Sequence, residues 1–175
     1  MKKVILIICT VILFLLMIIP IPIKIDRTVS AMEFNRSNKN YQKTVTVTFS
    51  GTYYWKVIKL FGSKDKWNGR ISVSGYPVTG NQNLSLIKDK AKRITYGEES
   101  VLLVYFKNLY DASGIFFGSL YTTKFFKHFA ILVDNKQKGI TDSSISNQYI
   151  IVGNATDKES ALKELKFVDF EYAFD

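Results

Sequence analysis

The chain has 175 residues, of which 47% are hydrophobic and 22% are charged. This length and balance fit one globular domain with a short appendage, and they exclude a disordered chain. Aromatic residues reach 14%, which favours strands, because aromatic side chains pack well on a pleated, half-buried surface.

The net charge of +9 is unevenly spread along the chain. Residues 31–156 carry 17 bases and 8 acids, whereas residues 157–175 carry 3 bases and 6 acids. A basic body of this kind is attracted to anionic surfaces, namely nucleic acid, lipid headgroups or acidic wall polymers. The location of the chain decides among these partners.

The N-terminal segment predicts insertion into a membrane. Residues 4–23 contain no charge, and they follow Lys2 and Lys3. A helix of this length rises about 30 Å, which is enough to cross a hydrocarbon core. The segment also lacks the polar positions at helical spacing that a buried core helix would show. We therefore predict a single N-terminal transmembrane helix that acts as an anchor at residues 1–23.

The charge bias predicts which side of the membrane holds the rest of the chain. Lys2 and Lys3 keep the N-terminus in the cytoplasm, so the remainder lies outside. The alternative is a signal peptide cleaved after Val29-Ser30-Ala31, which would release a secreted domain. Cys9, the only cysteine, lies inside the apolar stretch, which excludes a disulfide, a Cys-based metal site and a lipoprotein anchor. Residues 24–42 are polar and aperiodic and predict a juxtamembrane linker.

Residues 43–175 are predicted to form an extracytoplasmic β-rich domain. Val45, Val47 and Phe49 alternate with threonines, which is the pattern of a half-buried strand, and a break is expected at Gly51. Further short strands, separated by turn residues, are predicted at residues 52–61, 70–74, 84–87, 101–106, 115–121, 129–133 and 149–152. This succession indicates a mainly β fold, either an antiparallel sandwich or a small barrel.

One C-terminal helix has clear start signals. Thr156 and Glu159 have the spacing of a capping box, with Thr156 as the expected N-cap residue. Basic residues near the expected end of the helix suit its dipole. The apolar face of the predicted helix consists of Ala161, Leu162 and Leu165.

Three stretches of the chain carry a resemblance to a known group of proteins. They are Trp67-Asn-Gly-Arg-Ile-Ser-Val-Ser-Gly-Tyr-Pro77, Gly118-Ser-Leu-Tyr-Thr-Thr-Lys-Phe125, and Ile150-Ile-Val-Gly-Asn-Ala155 leading into Glu159-Ser-Ala161. In these stretches the chain resembles uncharacterised small membrane-anchored proteins of Gram-positive bacteria. The group brings no assigned activity, so the resemblance implies no catalytic residue. The glycines of the first two stretches are expected at bulges or close backbone approaches.

The sequence contains no catalytic, metal-binding or nucleotide-binding motif that stands above background. His128, the only histidine, lies among apolar residues with no recognisable nucleophile or orienting acid nearby, so a packed sheet residue is the preferred interpretation. Ser63 and Lys66 have Ser-x-x-Lys spacing but lie in a predicted turn. Carboxylates do not cluster with histidine at ligand spacing, and no Gly-rich phosphate loop occurs. We therefore expect no catalytic residue, no metal and no cofactor.

A group of basic and aromatic residues is the candidate binding patch, formed by Trp55, Lys56, Lys59 and Arg70. Bases beside aromatic rings can bind single-stranded nucleic acid, but export makes that partner implausible. Outside a membrane, the same chemistry suits lipid phosphates or anionic wall polymers. An ordinary solvated basic face is the simpler interpretation of these residues.

Together these observations predict a membrane-anchored, extracytoplasmic, non-enzymatic binding or sensing domain at the bacterial cell envelope. The expected partner is another protein or an anionic lipid or wall polymer. Two alternatives of other classes remain open. One is a small envelope hydrolase or transferase, and the other is an immunity or accessory protein that docks on another membrane protein.

Overall fold

A computed structural model describes residues 2–4, 7, 10, 19–36, 38, 40–56, 66–80, 85–89, 101–106, 115–134 and 148–170 of the chain. After an N-terminal segment in which residues 2–4, 7 and 10 are helical, the described residues form eight strands, two α-helices and one short 3-10 helix (Lys124–Phe126). The strands are β1 (Ile21–Asn35), β2 (Gln42–Trp55), β3 (Lys66–Val73), β4 (Ser85–Asp89), β5 (Val101–Phe106), β6 (Ile115–Thr122), β7 (Phe129–Val133) and β8 (Tyr149–Gly153). The helices are α1 (Pro77–Gly80), a single turn, and α2 (Lys158–Phe167).

The described strands belong to one sheet with the order β3-β2-β1-β8-β7-β6-β5-β4. Strand β1 pairs antiparallel with β8, so that Ala31 lies opposite Gly153 and Asn35 lies opposite Tyr149. The pairings from β4 through to β8 are also antiparallel. The prediction of a mainly β, antiparallel fold with a C-terminal helix is therefore confirmed. A sandwich would need two sheets, whereas these strands share one.

The predicted linker at residues 24–42 is not a linker in the structure, because residues 24–35 belong to β1. Val29 and Phe34 are buried there, and so is the acidic Glu33. The sequence pattern missed this strand because polar side chains occupy buried positions of β1. Pairing with β8 supplies the backbone partners that make the strand stable.

The predicted anchor at residues 1–23 lies mostly outside the described residues. Its last three residues, 21–23, belong to β1, so strand structure begins before the predicted boundary. In the part of the chain that the structure describes, no helix is both long enough and apolar enough to cross a bilayer.

The chain divides into two compact units, and the first comprises residues 1–26 and 50–69. Tyr53 and Trp67 are buried within the residues of this unit. The break that was predicted at Gly51 does not occur, because β2 continues to Trp55. A Cβ at Gly51 would meet the backbone of Gly69 in β3, so this glycine permits a close approach of two strands.

The second unit comprises residues 27–49 and 70–175, and its strands β7 and β8 are buried on both faces. Ile131 and Ile151 are fully buried on one face. On the other face a cluster packs with helix α2, formed by Phe34, Tyr121, Ala130, Leu132, Ile150, Val152, Ala155, Ala161 and Leu165. Burial on both faces explains why the sequences of β7 and β8 are continuous apolar runs instead of alternating ones.

Helix α2 begins one residue later than the predicted capping box implies. The N-cap is Asp157, whose carboxylate accepts a hydrogen bond from the Ser160 N–H at 2.7 Å. The Ser160 hydroxyl accepts in return from the Asp157 N–H at 3.1 Å. The predicted pair of Thr156 and Glu159 is therefore wrong by one position, since aspartate is preferred to threonine as an N-cap.

Within the described part of the sheet β3 lies at the edge, and side chains bind several of its backbone groups. The Val73 N–H donates to the Thr79 hydroxyl oxygen at 2.8 Å, and that hydroxyl lies 2.8 Å from the Tyr76 carbonyl. The Tyr105 hydroxyl of β5 donates to the Ile71 carbonyl at 2.6 Å. An edge that is covered in this way offers fewer free backbone groups to another chain.

Gly118 of β6 lies against the backbone of β7. A Cβ at this position would overlap the Leu132 carbonyl. Beside it, the register of β5 against β6 shifts between Leu103 and Val104. The expectation of a bulge and a close backbone approach is confirmed at this glycine.

Candidate functional site

The structure describes three of the four residues of the predicted binding patch. Trp55 and Lys56, at the end of β2, are half-buried. Arg70 in β3 is also half-buried, and its Nε and Nη2 atoms are fully buried. Lys59 lies outside the described residues. The patch therefore stays a prediction, and the polar groups that do converge lie elsewhere.

The connection between β6 and β7 is a strained turn. Phe125 and Phe126 have φ angles of 59° and 54°, in the left-handed region that residues other than glycine avoid. The Thr123 hydroxyl accepts a hydrogen bond from the His128 N–H at 3.1 Å, which closes the turn. The Phe126 ring stacks on Phe49 with 4.6 Å between centroids, and this packing holds the strained backbone. Strain of this kind clusters at functional sites, so the surroundings of the turn are the candidate region.

His128, at the end of this turn, pairs with an acid that sequence analysis did not find. Its Nδ1 atom lies 2.8 Å from Glu164 Oε2, and the two side chains are 18% and 17% exposed. The His128 ring also stacks on Phe167, with 4.2 Å between centroids. The expectation that no orienting acid lies near His128 is wrong, because helix α2 brings Glu164 to it from 36 residues away. A carboxylate in this position orients the ring and favours the proton on Nδ1.

A shallow cleft of about 390 Å³ lies beside the turn. This Arg27 cleft is lined by Arg27, Thr28, Val29, Ser30, Asn154, Ala155 and Thr156. One of these residues is a cation and none is an acid. Arg27 Nη1 donates to the Phe126 carbonyl at 3.4 Å, so the guanidinium is attached to the strained turn.

Asn154 joins the two sides of the Arg27 cleft. Its φ of 59° is left-handed, a conformation that asparagine adopts more readily than most residues. Its backbone N–H donates to the Ser30 carbonyl at 3.1 Å, and its side-chain amide donates to the Lys127 carbonyl at 3.1 Å. The cleft is thus lined by one cationic residue together with uncharged polar and apolar residues, and a guanidinium without a nearby lining acid suits an anionic group.

A buried acid–phenol pair lies apart from the Arg27 cleft. The Tyr76 hydroxyl donates to Glu33 Oε1 at 2.7 Å, and neither residue is more than 5% exposed. Burial, and after it the hydrogen bond to Glu33, hold the pKa of Tyr76 above its usual range. The pair fastens β1 to the turn before α1 and supplies a hydrogen-bond partner for one oxygen of an acid inside the domain.

No family model, curated protein or solved structure matches the chain. The resemblance to uncharacterised small membrane-anchored proteins of Gram-positive bacteria stays a prediction. Among the described residues, no group of three or more histidine, cysteine, aspartate or glutamate side chains is placed to hold a metal. The function has to be inferred from the residues of the chain itself.

Proposed function

We propose that the chain is a membrane-anchored, non-enzymatic binding domain of the bacterial cell envelope, with its β-rich part on the outer side. The supporting observation is the direct join between the apolar segment and the sheet. The uncharged segment ends at Ile23, and β1 already begins at Ile21. With no linker between them, an inserted segment would hold the sheet at the membrane surface.

The charges support the outward orientation and an anionic or protein ligand. Lys2 and Lys3 precede the apolar segment, which favours a cytoplasmic N-terminus. The body that follows carries an excess of bases, and it includes the Arg27 cleft. A domain of this charge at the membrane surface meets anionic lipids and wall polymers first.

Protease treatment of intact cells that express the chain with a C-terminal tag tests this proposal. We expect the protease to remove the tag, while untreated cells keep the full-length chain in the membrane fraction. A tag that survives in intact cells would place the domain in the cytoplasm and contradict the proposal. A shortened chain in the medium would instead support the cleaved, secreted alternative.

One observation favours the hydrolase alternative, namely the hydrogen bond between His128 and Glu164. A histidine oriented by an acid supplies two of the three members of a catalytic triad, and the third is the nucleophile. Among the described residues, however, no serine or threonine hydroxyl is hydrogen-bonded to the other ring nitrogen of His128. Labelling of the full chain by a reactive fluorophosphonate, lost in His128→Ala, would support the enzyme. We expect no labelling that depends on His128.

A further inference from the structure

We propose that the Arg27 cleft binds the phosphodiester group of an anionic lipid headgroup at the outer membrane surface. This inference rests on the proposed function, because it needs the cleft to lie outside a membrane that the apolar segment enters. It adds the ligand class and the residues that would hold it.

The chemistry of the cleft fits a phosphodiester anion. The hydrogen bond to the Phe126 carbonyl uses one nitrogen of Arg27, and a guanidinium carries further N–H donors in a fixed fork. This fork matches two oxygens of a phosphate, which a lysine ammonium cannot match in the same way. Thr28, Ser30 and Asn154 are uncharged polar residues of the same lining, and the Thr28 hydroxyl lies 3.2 Å from the Thr48 hydroxyl. No carboxylate among the lining residues would repel the anion.

The position of Arg27 in the chain favours a lipid as the source of the phosphate. Arg27 follows Ile23, the last residue of the apolar segment, by four positions. A fully extended chain spans about 3.3–3.6 Å per residue, so Arg27 lies within roughly 14 Å of Ile23. The polar headgroup layer begins where the hydrocarbon core ends. The covalent chain therefore keeps this guanidinium within reach of the headgroups.

The attachment of Arg27 and Asn154 to the turn before β7 prepares the site for its ligand. Arg27 is held by the Phe126 carbonyl and Asn154 by the Lys127 carbonyl, so the two donors are placed by adjacent residues of one strained turn. Side chains that are already ordered lose less conformational entropy when a ligand binds. The turn thus has a role in positioning, and its strain does not need catalysis as an explanation.

The experiment is native mass spectrometry of the full-length chain in a neutral detergent. The chain is titrated with phosphatidylglycerol and, in parallel, with a glycosyl diacylglycerol of the same acyl chains, which has no phosphate. We expect saturable binding of phosphatidylglycerol that is about tenfold weaker or more in Arg27→Gln. Arg27→Lys should give an intermediate affinity, because the charge remains and the fork is lost. The glycolipid should bind weakly to every variant.

Two further variants control for fold and for charge. Lys43→Gln removes one exposed base that does not line the cleft, and it should leave the affinity for phosphatidylglycerol unchanged. Asn154→Gly removes the side-chain amide, so it should also weaken binding. Glycine adopts the left-handed backbone conformation of this position readily, so the fold should be retained. Thermal melts of each variant show whether the fold is retained.

Three outcomes would overturn the inference. The first is an equal loss of affinity in Arg27→Gln and Lys43→Gln, which would show attraction by net charge alone. The second is unchanged phosphatidylglycerol binding in a folded Arg27→Gln. The third is binding of soluble poly(glycerol phosphate) that depends on Arg27 while lipid binding does not, which would assign the cleft to a wall polymer. The protease experiment tests the location of the domain separately. In each of these three cases, removal of the tag from intact cells would still support the proposed location.

Discussion

Among the described strands, β7 and β8 each have a neighbour on both sides, whereas β3 has β2 on one side only. In the centre, the backbone groups are paired along regular ladders, and side chains are buried on both faces. At the β3 edge, Thr79 and Tyr105 provide hydrogen bonds that a neighbouring strand would otherwise make. The same sheet is thus stabilised by apolar burial in one region and by single polar contacts in the other.

This difference determines how each region should respond to a change. Removing an apolar group from the centre leaves a cavity, and its cost grows with the volume lost. Removing a hydroxyl from the edge leaves one buried backbone group without its partner, which costs about as much as one hydrogen bond. The centre should be insensitive to pH, since its contacts are apolar. The edge should respond to alkaline pH, because one of its donors is a phenol.

The largest effect is expected for Ile150→Ala in the centre of the sheet. Ile150 is fully buried in the cluster beneath α2, so the shorter side chain should lower the free energy of unfolding by about 2–5 kcal/mol. Urea unfolding of the full chain in detergent measures this change. Leu162→Ala is the matched control, because Leu162 lies on helix α2 itself but is 42% exposed. Equal losses in the two variants would contradict the two-sided core.

An intermediate effect is expected for Thr79→Val at the β3 edge. Valine has nearly the shape of threonine but leaves the buried Val73 N–H without its acceptor, which should cost about 1–3 kcal/mol. Thr79→Ser keeps the hydroxyl and should be markedly less destabilising. Faster hydrogen exchange of the Val73 amide in the valine variant alone would show that the effect is local. A valine variant as stable as the original chain would mean that the edge needs no such contact.

The smallest effect is the response of the free energy of unfolding to alkaline pH, which is absent at neutral pH. This response separates the two regions most clearly. Burial raises the pKa of the Tyr105 phenol well above its ordinary value of about 10, and the nearby Arg70 opposes that shift. The folded chain therefore keeps a proton that the unfolded chain releases above pH 10. The stabilisation is fully present below that pH and is lost as the pH rises further.

The expected slope for one such tyrosine is a loss of up to about 1.4 kcal/mol per pH unit above pH 10. Tyr105→Phe should reduce the slope by up to that amount, while it also removes the hydrogen bond to Ile71. Tyr76→Phe should reduce it similarly, because the pKa of Tyr76 is raised as well. Unfolding curves between pH 8 and about pH 11 measure these slopes.

Much of the strand pattern follows from local sequence. The alternation at Val45, Val47 and Phe49 and the apolar runs of β6, β7 and β8 each predict a strand where one is found. These signals are strong because they report which faces of a strand are buried. Strand β1 carries no such signal, since its buried positions include Glu33 and Asn35.

The candidate site is less predictable because its members come from distant parts of the chain. Arg27 and Asn154 line the same cleft because β1 pairs with β8, the first of the described strands beside the last of them. His128 finds Glu164 only when α2 packs on the sheet. None of these residues forms a motif with its neighbours in sequence, so pattern analysis favoured Trp55, Lys56, Lys59 and Arg70 instead.

The sequence by itself determined the class of the fold and the apolar N-terminal segment, because both depend on hydrophobic periodicity over a few residues. Only the tertiary structure decided the strand order, the burial of Glu33 against Tyr76, and the position of Arg27 in its cleft. Such features depend on contacts between residues far apart in the chain. Local composition carries no information about which of those contacts form, since packing of the whole sheet selects them.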